Sequence, residues 1–126
     1  MLAIDSAYTT RVLQDLVRIN SVNPVLDPAS PGERAIAEYV GDAMSALGAE
    51  VRYHEPKPGR VSVVARLAGS APGHSLMFNA HADTVDVAGM PEPFSGDLRD
   101  GRVYGRGAFD MKGGLAAMMG AVKALA

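Results

Sequence analysis

The sequence predicts an α/β fold: a layered mixed sheet with flanking helices, formed as one domain over residues 1–126. Three observations lead there. Two stretches of helical period open the chain, strand-like apolar runs fill its middle, and a third, more apolar helical stretch closes it. In order, the elements read helix, helix, strand, strand, strand, hairpin, helix. That order suits a mixed sheet better than a purely parallel one.

The first helix is expected over residues 6–19. Val12, Leu13, Leu16, Val17 and Ile19 recur at a spacing that lines one helical face. SVNPVLDPAS follows, and Pro24 and Pro28 make it a loop. For the second helix, Ser30 is expected to cap, Pro31 to take the first helical position, and Glu33 to complete a capping box. Ile36, Val40, Met44 and Leu47 form its apolar face, and Gly48 stands where it should end.

AEVRYHE alternates Val51 and Tyr53 with charged neighbours, the pattern of a half-buried strand. PKPG is a turn, and the β-branched run VSVVARLAG is a second strand. SLMFNA is apolar almost throughout, which predicts a strand buried on both faces. DLRDGRVYG predicts a short hairpin turning at Asp100–Gly101. The final stretch LAAMMGAVKALA is apolar nearly all round and predicts a buried helix.

Composition narrows the function. Apolar residues make up 48% of the chain and charged residues 21%, an ordinary globular balance. A net charge of −2 leaves no basic footprint, so neither nucleic acid nor an anionic membrane is an expected partner. The N-terminus lacks the apolar core of a secretory signal, and no run reaches the roughly 18 apolar residues of a membrane span. There is no cysteine, which removes disulfides and thiolate metal sites. A cytoplasmic location is expected. Any metal site must use His, Asp and Glu.

Two stretches carry candidate chemistry. In MFNAHAD the apolar run stops at His81, and Asp83 lies two residues on, so both side chains should share one side of an extended backbone. Imidazole is a good zinc ligand, and a ligating histidine usually gives its second ring nitrogen to a carboxylate. Alone, an H-x-D pair reads more readily as a strand-end histidine bonded to a turn aspartate. His54, in a charged strand, and His74, in a Gly/Pro turn, carry no functional expectation.

In GRGAFDMKGG, Asp110 stands between glycines and among Ala108, Phe109 and Met111. A carboxylate buried there needs a partner, and a metal ion would supply one. A single carboxylate can also bridge two metals about 3.5–4 Å apart. The stretch lacks the residue order of a phosphate-cradling loop or a dinucleotide fingerprint. A glycine-rich turn with Asp110 paired to Arg102 or Arg106 explains the same residues, and both readings stay open.

Together the stretches say more. HADTVDV followed by PFSGDLRDGRVYGRGAFDMKGGLAAMM closely resembles the acetylornithine deacetylase, succinyl-diaminopimelate desuccinylase and aminoacylase family of co-catalytic metallohydrolases. SVNPVLDPASPGERAIAEYVGDAMSALGAEV resembles that family's opening, so the likeness spans nearly the whole chain. The resemblance implies a zinc-exopeptidase-like catalytic domain. It makes His81 and Asp110 metal ligands, with Asp110 bridging two Zn2+ ions, and gives Asp83 the task of orienting His81. Co2+ or Mn2+ are the expected substitutes. A cis peptide is implied at Asp110–Met111, with Arg106 and Lys112 as structural residues of the motif. The implied reaction is hydrolysis of the amide bond of an N-acyl amino acid or short peptide.

The family's mechanism adds a glutamate general base, further metal ligands and a dimerising lid domain, all later in the sequence than Asp110. Glu33, Glu38, Glu50, Glu55 and Glu92 all precede it, and none matches that context. The expectation is therefore an N-terminal part of a catalytic domain, incomplete at the C-terminus and carrying half of a dinuclear site. Such a chain should be inactive alone, and the complete enzyme is expected to pair as a homodimer through the lid. The competing expectation is a non-catalytic remnant of such an enzyme.

Overall fold

A computed structural model describes residues 3–126. Helix α1 spans Ser6–Arg18, and its apolar period buries Val12, Leu16 and Val17. Asp5 caps it by accepting the Tyr8 N–H at 2.9 Å. Ile19 already has extended φ/ψ, so the helix stops one residue short of the expected end.

Helix α2 spans Arg34–Ser45 and buries Ile36, Ala37, Val40, Gly41 and Met44. The expected capping box does not form. Ser30 Oγ donates instead to Val22 O at 2.7 Å, and the Glu33 carboxylate receives Arg60 Nε at 2.7 and 3.0 Å. Both carboxylate oxygens of Glu33 are engaged by the guanidinium in charge-assisted bonds, so Glu33 serves the ion pair and not the cap. Gly48 follows the helix with φ 87, as a helix-ending glycine should.

Strands β1 (Glu50–Lys57) and β2 (Arg60–Arg66) form an antiparallel pair, with Val51 opposite Ala65 and Tyr53 opposite Val63. Helix α2 packs on this pair. Strands β3 (Asp97–Arg99) and β4 (Arg102–Tyr104) form the expected hairpin. Asp100 and Gly101 both have positive φ (51 and 73), the conformation of a tight two-residue hairpin turn. A wide turn over Ala108–Lys112 contains a cis Asp110–Met111 peptide and leads into α3 (Gly113–Leu125). The core joins Val12 and Leu16 of α1, Ile36, Val40 and Met44 of α2, and Ala116 and Met119 of α3. None of the described helices is long and apolar enough to cross a membrane.

The α/β class stands, but the layered mixed sheet does not appear. The described residues form two separate two-stranded antiparallel sheets. SLMFNA is not a buried strand: Leu76 and Met77 are 76% and 84% exposed, and Phe78 is exposed too. A strand exists only through a neighbour's backbone, and among the described residues no strand pairs with this run. Its nearest pairing is a single parallel bridge between Val22 and Thr84. Helix α3 is likewise buried on one face only, through Ala116, Met119 and Gly120, and Leu125 is exposed.

Candidate metal centre

The loop after α1 brings the site together. Lys112, almost fully buried, donates from Nζ to Ile19 O at 2.8 Å and so ties the end of α1 to the Ala108–Lys112 turn. Burial disfavours its charge and pushes the ammonium down to about 8. Two residues on, Ser21 Oγ donates to Ala82 O at 2.8 Å. Thr84 N donates to Ser21 O at 3.0 Å, and Asn23 N donates to Thr84 O at 2.9 Å. These bonds fix residues 82–84 as an extended stem, and His81 stands at its head.

His81 faces two carboxylates. Its Nδ1 lies 3.0 Å from Asp83 O and 3.3 Å from Asp83 Oδ1, and its Nε2 lies 3.0 Å from Asp110 Oδ1. Both ring nitrogens meet acceptors, so the doubly protonated ring satisfies both contacts. Partial burial opposes that charge. The bonds to Asp83 O and Asp110, with the negative charge of both carboxylates, outweigh it and raise His81 above its ordinary 6.5.

Asp83 is held from its other side. Asn23 Nδ2 donates to Asp83 Oδ2 at 2.8 Å, and Arg60 Nη2 stands 3.9 Å from the same oxygen. Arg60 is committed chiefly to buried Glu33. A line of alternating charge therefore runs Glu33, Arg60, Asp83, His81, Asp110.

His81, Asp83 and Asp110 line one cleft of about 330 Å³, whose walls include Leu26, Thr84, Val85, Arg106 and Phe109. Asp110 is not buried as its apolar neighbours suggested: its side chain is 80% exposed, and Phe109 is almost wholly exposed. The turn over Ala108–Lys112 projects both into the open cleft instead of into the core. Among the described residues, Asp110 makes no ion pair with Arg102 or Arg106. Arg106 Nε and Thr84 Oγ1 are buried without a hydrogen-bond partner. His54 and His74 are exposed and lie away from the cleft.

The donor chemistry fits a divalent metal in part. An imidazole nitrogen and a carboxylate oxygen converge on one accessible space, and zinc takes both ligand types. Zinc takes about four ligands, and among the described residues no group of three His, Cys, Asp or Glu is arranged to hold a metal. The sequence reading missed Asn23 and Arg60. Nothing in a loop asparagine or a strand arginine announces a partner at Asp83.

Residues 77–126 match the model of Peptidase family M20/M25/M40. The chain is 36% identical over 121 residues to a succinyl-diaminopimelate desuccinylase of Methylobacterium radiotolerans, covering 90% of this chain and 29% of that protein. It is 38% identical over 114 residues to a succinyl-diaminopimelate desuccinylase of Rhodospirillum centenum, covering 86% of this chain and 28% of that protein. A probable succinyl-diaminopimelate desuccinylase of Staphylococcus epidermidis is 32% identical over 113 residues, covering 86% of this chain and 26% of that protein. The chain thus spans under a third of the length of these relatives. The resemblance drawn from the motifs is borne out.

Proposed function

We propose that this chain, which carries the N-terminal motifs of Peptidase family M20/M25/M40, forms part of the catalytic domain of a metal-dependent amide hydrolase. The substrate is an N-acyl amino acid or short peptide, in keeping with relatives named as desuccinylases. One observation carries this reading: His81 Nε2 and Asp110 Oδ1 stand 3.0 Å apart over the cleft, with His81 Nδ1 turned to Asp83. His81 and Asp110 would hold the metal, Zn2+ or in its place Co2+ or Mn2+. Asp110 would be shared between two ions, and Asp83 would fix the ring and its tautomer.

A pair of divalent ions held by these residues would supply Lewis acidity and lower the pKa of bound water towards neutrality. The chain's own residues have simpler tasks. The main-chain O of Asp83 accepts the hydrogen bond from Nδ1–H, with the carboxylate close beside it, which leaves Nε2 free as a ligand. Asp110 contributes negative charge at the cleft, and Phe109 and Leu26 offer it apolar walls. No glutamate lines the cleft, and Glu33 is engaged with Arg60. We therefore assign this chain metal binding without turnover of its own; the general base and remaining ligands would come from outside it. A cytoplasmic location and pairing of two copies through a lid domain follow from the same reading.

Calorimetric titration of the metal-free chain with Zn2+ and Co2+ tests this proposal. Saturable binding that His81→Ala abolishes is the expected result. Binding that survives in His81→Ala would overturn the ligand assignment. Turnover of N-acyl amino acids at an ordinary enzymatic rate, about 1–10³ per second, would overturn the partial-site reading.

A further inference from the structure

We propose that Asn23 is the positioning residue of this centre: through its bond to Asp83 it sets the orientation of His81. The inference rests on the metal-site reading above and adds a residue from the α1–α2 loop to it.

The geometry is specific. Asn23 Oδ1 accepts the Val25 N–H at 2.9 Å, and Asn23 Nδ2 donates to Asp83 Oδ2 at 2.8 Å. An N–H cannot accept, so the amide oxygen must face Val25 and the NH2 must face the carboxylate. The asparagine backbone is fixed as well, by its N–H to Thr84 O at 2.9 Å. Asn23 therefore grips the stem twice, once beside Thr84 by main chain and once at Asp83 by side chain.

Nδ1 of His81 meets the main-chain Asp83 O at 3.0 Å, and holding Oδ2 leaves the carboxylate's Oδ1 to face the same ring nitrogen at 3.3 Å, so Asn23 fixes the charge that lies against the ring. Without that grip the carboxylate is free to turn about its terminal torsion, which is broad and two-fold. Arg60 cannot replace it, because Arg60 stands 3.9 Å from Oδ2 and gives its close bonds to Glu33. The loop is itself anchored, by Lys112 on Ile19 O and by Ser21 on Ala82 O. Asn23 thus transmits the position of a fixed loop to a group that would otherwise rotate.

Asparagine's two ends allow the positioning role to be separated from a merely structural one. Asn23→Asp keeps an oxygen for the Val25 N–H and loses the donor to Asp83, replacing it with a like charge. Asn23→Ala loses both bonds. Both variants and the parent chain should be titrated with Co2+ and Zn2+. The His81 ring should also be followed without metal by 15N NMR at one fixed pH, with urea midpoints recorded alongside.

A positioning role predicts that Asn23→Asp changes the His81 ring 15N signature. It also predicts a loss of metal affinity of about 10–100-fold, the usual size for a group that orients a ligand. Its urea midpoint should stay nearer the parent than that of Asn23→Ala. If Asn23→Asp leaves both the ring spectrum and the affinity unchanged, Asn23 only braces the loop and the proposal is overturned. If no chain binds metal yet the ring signature still shifts in Asn23→Asp, the metal reading fails and the link from Asn23 to His81 stands.

Discussion

Gly105→Ala should destabilise the chain far more than Gly101→Ala, although both glycines flank the same short strand. Gly105 has φ 144, and a Cβ there would overlap Val17 Cγ1 and stand 2.9 Å from Pro93 O. Val17 is fully buried in α1 and cannot swing away, and Pro93 O is held by the Arg106 N–H. Overpacking costs about 1–3 kcal/mol, and a non-glycine residue held in a sparsely populated backbone region adds about 1–3 kcal/mol. The sum, about 2–6 kcal/mol, is a large share of the roughly 5–15 kcal/mol that stabilises a domain. Gly101 has φ 73 with nothing within 4 Å of its Cβ position, so only the backbone penalty of about 1–2 kcal/mol applies. Urea unfolding followed by circular dichroism, with a common m-value, measures both. Val17→Ala supplies the internal check: by opening the space the new methyl invades, it should reduce the penalty of Gly105→Ala. Equal midpoints for the two glycine variants, or strict additivity with Val17→Ala, would refute the packing argument.

Other outcomes follow from the site and its supports. Asp110→Ala should abolish metal binding, whereas Asp83→Asn should retain it at about 10–100-fold lower affinity, because the main-chain Asp83 O still accepts the Nδ1–H bond while the carboxylate charge beside the ring is lost; calorimetry on both variants separates the two roles, and equal losses would contradict them. For Lys112 the folded value, about 8, lies below the ordinary 10.5, so between those pH values the unfolded chain binds more protons and stability rises with pH. At about 1.4 kcal/mol per unit the rise totals about 3 kcal/mol. Urea midpoints across that range should climb in the parent relative to Lys112→Met, and parallel profiles would remove the buried charge from the account. Exposed Leu76, Met77 and Phe78 should make the chain bind a hydrophobic dye, and replacing all three with Ser should lower that fluorescence sharply; unchanged fluorescence would locate the apolar surface elsewhere.

The parts of the fold that sequence anticipates are those governed by local period. Val12, Leu16 and Val17, and then Ile36, Val40 and Met44, are buried because a 3.6-residue repeat leaves a helix one apolar face. Asp100–Gly101 turns because few residue pairs accept two positive φ values in succession. SLMFNA shows where local reasoning stops. Its composition states that burial would be favourable, but pairing is a property of a second strand, which no feature of those six residues can supply.

The site divides in the same way. The approach of His81 to Asp110 is legible only from the two motifs taken together, since each stretch alone reads equally well as an ordinary strand end or glycine-rich turn. Asp110's exposure was not legible, because its apolar neighbours say nothing of which way the turn faces. Asn23 was invisible for a different reason. Its partner lies 60 residues away, and an asparagine before proline is fully explained as a loop residue. The residues that hold His81 come from the loop at 19–23, the stem at 82–84 and the turn at 105–112. None of these has a periodic pattern, because each is fixed by individual hydrogen bonds and not by a shared apolar face. The metal-site reading therefore depends on bonds that periodicity cannot report, and Asn23 is where that dependence is most easily measured, since one atom of its amide serves the loop and the other serves the site.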